Sequence, residues 1–163
     1  MPPPAVALSG LRASLDEQAL LRREFRFTIQ GGTLRLSVEA LNHLLPPSTP
    51  LRIVRVSGGR LSMRTSFTAV GGVAEVVPRV TPRGRLRLEI VAFQAAGFLP
   101  IPVSWVVAAI RKFAPPVAGM YYEGEGLEFD LAELLLSLLA PAEIHLAPLR
   151  NVRAGEGVAE LQF

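Results

Sequence analysis

From Glu24 to Gln30 apolar and polar residues alternate, with Phe25, Phe27 and Ile29 on one side and Arg26 and Thr28 on the other. A period of two predicts a half-buried strand. Gly31-Gly32 then predicts a turn into a second strand, Leu34 to Leu36. Ser37 stands where an N-cap belongs, ahead of Val38, Leu41, Leu44 and Leu45 at helical spacing, and Pro46-Pro47 stops that helix. Leu51 to Val56 and Arg60 to Ala69 predict a hairpin through Ser57-Gly58-Gly59, with Leu61, Met63 and Phe67 opposite Arg60 and Arg64. Strands near Val73 to Val80 and Arg85 to Phe93 extend the sheet. Arg85 and Arg87 face solvent there, opposite Leu86 and Leu88, and a phase slip at Val91 predicts a bulge. A short hairpin covers Gly119 to Phe129. Asp130 with Glu133 forms a capping box for a leucine-rich helix ending at Pro141, and strands near Glu143 to Arg153 and Val158 to Phe163 follow. At the front, residues 1–13 read as a flexible arm. Ser14 with Glu17 caps a short helix over 14–23, so a single domain is expected over residues 14–163.

One segment breaks the alternation. No charge falls between Glu89 and Arg111, a run about as long as a bilayer is thick. Pro100 and Pro102 divide it, because a proline inside a helix costs about 3 kcal/mol and forces the preceding residue toward extended geometry. The run therefore predicts a strand, a break between Gly97 and Pro102, and a helix over about 102–113. At 1.5 Å per residue that helix is about 18 Å long, too short to span.

The helices after Pro102 and Asp130 carry apolar surface wider than the stripe a surface helix normally buries. The second has polar residues only at Glu133 and Ser137 before its proline stop. Strands with one apolar face could cover such helices by curling around them. The expected fold is thus α+β, with a strongly curved antiparallel sheet wrapped around one or two apolar helices. A weak internal two-fold repeat accompanies it. Leu34-Arg-Leu-Ser-Val-Glu-Ala-Leu is echoed by Leu127-Glu-Phe-Asp-Leu-Ala-Glu-Leu, and Leu51-Arg-Ile-Val-Arg-Val-Ser-Gly-Gly by Leu149-Arg-Asn-Val-Arg-Ala-Gly-Glu-Gly.

Composition narrows the functions. Half of the 163 residues are hydrophobic and the mean hydropathy is +0.36, so apolar surface must be hidden or used. Seventeen basic residues against fourteen acidic give +3, and Lys112 is the lone lysine. Arginine forks suit anionic head groups, whereas no dense basic run interleaved with aromatics points to nucleic acid. With no cysteine there is no thiol chemistry. His43 and His145 belong to no HExxH, GxSxG or P-loop pattern. Glu123, Glu125, Glu128 and Asp130 form the one acidic cluster, with Asp130 already assigned as a cap. The reading names no catalytic residue, no metal site and no cofactor. No basic leader precedes the opening apolar residues, so a cytoplasmic location is expected, peripheral to a membrane at most.

Residues 31–46, the hairpin 51–62, Gly-Phe-Leu-Pro-Ile-Pro at 97–102 and the closing 149–158 together resemble the LmeA-like phospholipid-binding family. That family is similar to the tubular lipid-binding (TULIP) superfamily. The resemblance implies a helix wrapped by a curved sheet around a lipid channel. The expected function is non-enzymatic binding of a lipid or fatty-acid-like ligand in a groove between sheet and helices. Phe67, Phe93, Phe98, Trp105, Val106, Ile110 and Met120 are the expected lining, and an anionic membrane surface is a further partner. The alternative is a scaffold protein whose apolar faces form a homo-oligomer or meet a partner without a small ligand.

Overall fold

A computed structural model describes residues 6–16, 18, 22, 26–45, 51–65, 71–95, 99–113, 118–134 and 143–163. The chain is α+β, with two sheets and short helices. The first sheet runs in the order β1 (Val6–Leu15), β2 (Arg26–Ser37), β12 (Val158–Gln162), β11 (Asn151–Ala154). A further strand, β10 (Glu143–Leu146), lies parallel to the start of β2. The second sheet runs β3 (Leu51–Ser57), β4 (Arg60–Thr65), β5 (Gly72–Val80), β6 (Leu86–Ala95), β9 (Gly126–Phe129), β8 (Met120–Glu123), with β7 (Leu99–Pro100) on β6. Helix α1 (Val38–Leu44) leads from the first sheet to the second, and α2 (Val103–Phe113) packs on the second.

Four expectations need correction. Residues 6–15 are a strand, not a flexible arm, and Ser14 and Leu15 belong to it rather than to a helix. Asp16 supplies the local cap instead, its Oδ1 accepting from the Gln18 N–H at 3.0 Å. Half of the expected helix over 14–23 lies outside the described residues. Gly31-Gly32 does not turn the chain, because β2 continues through both. The pair marks an irregularity, with Ser9 opposite Thr33 and Arg12 opposite Gly31. A Cβ on Gly31 would meet the Arg12 guanidinium at 3.1 Å and the Phe163 carbonyl at 3.3 Å, so close approach rather than turning explains the glycine. The strand expected over Glu143 to Arg153 is two strands, β10 and β11, in different pairings.

Elsewhere the local chemistry acts as its residues predict. Ser37 Oγ accepts from the Ala40 N–H at 3.1 Å and caps α1. Gly58 and Gly59 both adopt positive φ, 57° and 78°, which turns β3 into β4. In β6, Ile90 pairs with Val76 and Ala92 with Glu75, leaving Val91 as the bulged residue. The charge-free run is strand to Ala95 and helix from Val103, with the Ile101 N–H donating to the Phe93 carbonyl at 3.1 Å. Among the described residues no helix is long and apolar enough to cross a membrane. Asp130 Oδ1 accepts from the Glu133 N–H at 3.1 Å and opens a helical turn at 131–134. The remainder of that expected helix lies outside the described residues, as do residues 66–69 of the expected β4.

Two buried clusters share α1. Ile53, Val56, Leu61, Met63, Val76 and Ile90 of the second sheet pack with Val106, Val107 and Ile110 of α2. Leu36, Ala40, Leu149, Leu161 and Phe163 form the core of the first sheet, and Leu41 touches both clusters. Helix α1 is held by a contact that its pattern did not announce. The Asn42 amide donates to the Ile53 carbonyl and accepts from the Ile53 N–H, each at 2.8 Å, where β3 is irregular against β4 between Ile53 and Arg55. One side chain thus stands in for a strand partner.

The arginines divide. Arg60 and Arg64 are exposed, as expected. Arg85 and Arg87 are not solvent-facing, with side chains only about a quarter exposed. Arg87 pairs with Glu128 at 3.3 Å, and Glu128 itself is 5% exposed. Removing Arg87 would leave a buried carboxylate unpaired, whereas Arg64 has no such duty. In urea melts we expect Arg87→Ala to cost about 2 kcal/mol or more and Arg64→Ala less than about 1 kcal/mol. Asn42→Ala, which leaves both polar groups of Ile53 unsatisfied by side chain, should cost about 1–3 kcal/mol. Equal losses for Arg87→Ala and Arg64→Ala would contradict the assignment of a buried pair.

Candidate functional site

Of the five expected lining residues that are described, four share the cluster of the second sheet and one does not. Val106 and Ile110 are 7% and 2% exposed and pack against the second sheet, with Phe93 and Met120 at the margin of the same cluster. Among the described residues, the space beside Ile110, Met63 and Leu127 amounts to about 10 Å³, room for about one water. Trp105 faces away from that cluster and is 71% exposed. Phe67 and Phe98 lie outside the described residues. The five described residues do not surround an open channel within the part described.

A larger concavity opens where the two sheets meet. It has a volume of about 770 Å³, within the range of small-ligand sites. Its existence follows from strand lengths. Pairing of β5 with β4 ends at Val76, while β5 continues to Val80 against β6 alone. Pro78 lies in this outrun, paired with Leu88 of β6 and with no partner from β4. The tip of the β11–β12 hairpin stands across from it, pinned to the β3–β4 turn by two main-chain bonds. The Gly59 N–H donates to the Ala154 carbonyl at 2.9 Å, and the Gly157 N–H to the Val56 carbonyl at 2.7 Å.

The floor is one transverse row of the first sheet. Ala7, Arg35, Glu160 and Arg153 are register partners across β1, β2, β12 and β11, and all four line the cleft. Arg35 Nε lies 2.7 Å from Glu160 Oε1. The row therefore holds one carboxylate between two guanidinium groups, and with Glu156 the charged lining of the cleft is two arginines and two glutamates. Glu156, Val152, Ala154, Val158, Pro78 and two glycines complete the lining. Apolar walls with a small set of charged groups are what a ligand with an apolar body and an anionic end requires. Sequence reasoning missed this site because the row exists only once β12 has paired with β2. Pro78 inside a strand pattern was the one available hint of an unpaired edge.

A second group of polar residues surrounds Asp130. The Arg85 guanidinium sits 4.6 Å over the Tyr121 ring and 3.7 Å from Asp130, and the Tyr121 hydroxyl donates to Glu133 Oε2 at 2.6 Å. These contacts hold the β8–β9 hairpin against the helical turn that follows it. The acidic cluster of the sequence is thereby divided among cap, ion pair and strand, and among the described residues no three His, Asp or Glu side chains converge. His43 Nδ1 lies 2.8 Å from the Glu39 carbonyl on the exposed side of α1, and His145 is exposed on β10. Neither histidine has a nucleophile or a carboxylate placed for catalysis among its described contacts.

Compared with protein families, with curated proteins and with solved structures, the chain matches none.

Both tyrosines titrate above the ordinary value. For Tyr121 the main cause is the hydrogen bond to the Glu133 carboxylate, with burial and the Glu133 charge adding to it. For Tyr122 it is burial, partly offset by the nearby Arg111. A raised folded value means that the neutral phenols contribute stability in full below the ordinary tyrosine value of about 10, and that this is lost as pH rises through the folded value. We expect phenolate absorbance of the folded protein to develop late for both residues. Glu133→Gln should return Tyr121 toward the ordinary value and leave Tyr122 in place. An unchanged titration in Glu133→Gln would remove the Glu133 hydrogen bond as the cause.

Proposed function

We propose that the protein is a non-enzymatic binder of an elongated apolar ligand with an anionic end, a fatty acid or related lipid, held in the cleft between the two sheets. The observation that carries this reading is the cleft of about 770 Å³ whose apolar wall stands over the Arg35–Glu160–Arg153 row. The site differs in place from the helix–sheet groove expected from the sequence, since the described side chains fill that groove. Burying an acyl chain gains about 0.8 kcal/mol per methylene, so eight methylenes bring about 6 kcal/mol before association costs. A guanidinium at the head adds a charge-assisted hydrogen bond and sets the direction of entry.

The same proposal includes strong curvature of the second sheet, kinship with the LmeA-like and tubular lipid-binding proteins, a cytoplasmic location and a two-fold repeat of the fold. Several pairings support the repeat. Under the sequence echo Gly59 corresponds to Gly157 and Val56 to Ala154, and the two hydrogen bonds joining the hairpin tips exchange under that correspondence. Both glycines share a positive φ, 78° and 74°. Arg35 corresponds to Glu128, and each forms an ion pair with its register partner, Glu160 and Arg87.

One observation favours the scaffold alternative. Strand β1 is the outer strand of its sheet, and its Val6, Leu8 and Leu11 are exposed. Such an edge can add a strand from a second copy. Here light scattering should show a concentration-dependent dimer that Leu8→Lys abolishes; a monomer at all concentrations would dismiss this reading.

The ligand reading is tested with a fluorescent fatty acid. Wild-type protein should bind it saturably, and Val158→Phe or Ala7→Phe, which add bulk to the lining from two different strands, should each weaken binding at least tenfold with an unchanged circular dichroism spectrum. Arg153→Glu should weaken the acid but not the corresponding alcohol. Absence of probe binding by the wild type, or full binding by both filled variants, would discard the cleft as the site.

A further inference from the structure

The outward side of α2 carries the single tryptophan of the chain. Trp105 is 71% exposed, although Val106, Val107 and Ile110 already meet the packing needs of the helix. Leu99 is 56% exposed just before the helix, and Pro100 and Pro102 are exposed with it. At helical spacing Trp105, Ala108 and Lys112 share one stripe, with Ser104 and Arg111 beside it, and all five are exposed. The helix contains no acidic residue, and its last turn holds Arg111 and Lys112. One end of this face is thus apolar and uncharged, and the other carries two cations. Arg111 is held along the helix end by the Tyr122 ring, 5.5 Å from its guanidinium carbon.

That arrangement matches a bilayer surface in both of its properties. An indole has an apolar body and a polar N–H, and it settles at the level of the head groups. Long cationic side chains lie along an apolar surface and keep their charge at the phosphates. Eleven residues of helix, about 16 Å, suit lying in the interface and exclude spanning. The charge is complementary to an acidic lipid surface, and the helix offers nothing to a cationic partner.

We propose that α2 lays its Trp105–Lys112 stripe on an anionic bilayer, with Leu99 and Trp105 entering the head-group layer and Arg111 and Lys112 meeting lipid phosphates. This contact uses none of the residues that line the cleft, so it stands or falls separately from the ligand reading.

The full chain is mixed with vesicles of phosphatidylcholine alone or of phosphatidylcholine with phosphatidylglycerol. Binding is read by flotation and by the emission of Trp105, which no other tryptophan obscures. With anionic vesicles the emission should shift to the blue and be quenched by bromine-labelled acyl chains, and neutral vesicles should produce neither effect. Arg111→Gln with Lys112→Gln should weaken partitioning on the order of 30-fold, about fivefold per charge, and added salt should weaken the wild type likewise. Trp105→Ala should also lose flotation while keeping its circular dichroism spectrum. Val158→Phe should float as the wild type does, which separates surface docking from uptake into the cleft. The proposal is overturned if the wild type does not float with anionic vesicles, if it floats with no change in Trp105 emission, if the doubly neutralised variant floats equally well, or if Val158→Phe abolishes flotation.

Discussion

Two main-chain hydrogen bonds fix how the sheets stand to one another. Gly59 reaches the Ala154 carbonyl and Gly157 the Val56 carbonyl, so each hairpin tip donates to the strand of the other. At neither glycine would a Cβ meet an atom within 4 Å, so it is the positive φ, not crowding, that excludes other residues. Val56, whose carbonyl takes part, is 1% exposed, and Ala154 is buried beside it. The bonds are thus shielded from competing water at their acceptor ends and carry more weight than an exposed turn contact would. The position of β11 across from the outrun of β5 follows from them, and the cleft follows from that position.

Helix α1 provides the second constraint. Ser37 starts it at the end of β2, and Asn42 ties it to β3 at the point where that strand is irregular. A side-chain amide can satisfy a main-chain donor and acceptor at once, which an apolar residue could not do at this depth. The passage from the first sheet to the second is therefore fastened at both ends, by a cap and by a bracket, with Leu41 between the two cores. The strands on either side need no long connection to find their layers.

Much of the local structure was legible in the residues. The N-cap at Ser37, the glycine turn at 58–59, the bulge at Val91 and the strand-then-helix division of the charge-free run all rest on short-range chemistry, and the structure contains each of them. What escaped the pattern depends on partners distant in sequence. Gly31-Gly32 reads as a turn until Phe163 arrives opposite it, exchanging main-chain bonds with Gly32. Arg87 reads as a solvent-facing strand residue until Glu128 pairs with it across β9. Trp105 reads as lining, because its helical position lies on the flank between inward and outward faces and a few tens of degrees decide which way it falls. The cleft was illegible for a related reason, since a void is a relation among β1, β2, β5, β11 and β12 that no single segment encodes.

Strand β2 is bordered along one edge by β1 and along the other by β10 and β12 in succession. One of its neighbours therefore immediately precedes it in sequence, and the others come from residues 143–162. During synthesis β1 and β2 can meet early, but the second edge of β2 stays unpaired until more than a hundred further residues have left the ribosome. A long twelve-residue strand waiting with open backbone groups is a template for wrong pairing, and contacts of such high sequence separation form slowly. The order of emergence thus sets a window of vulnerability for the nascent chain. It closes when Val158–Gln162 is delivered to β2.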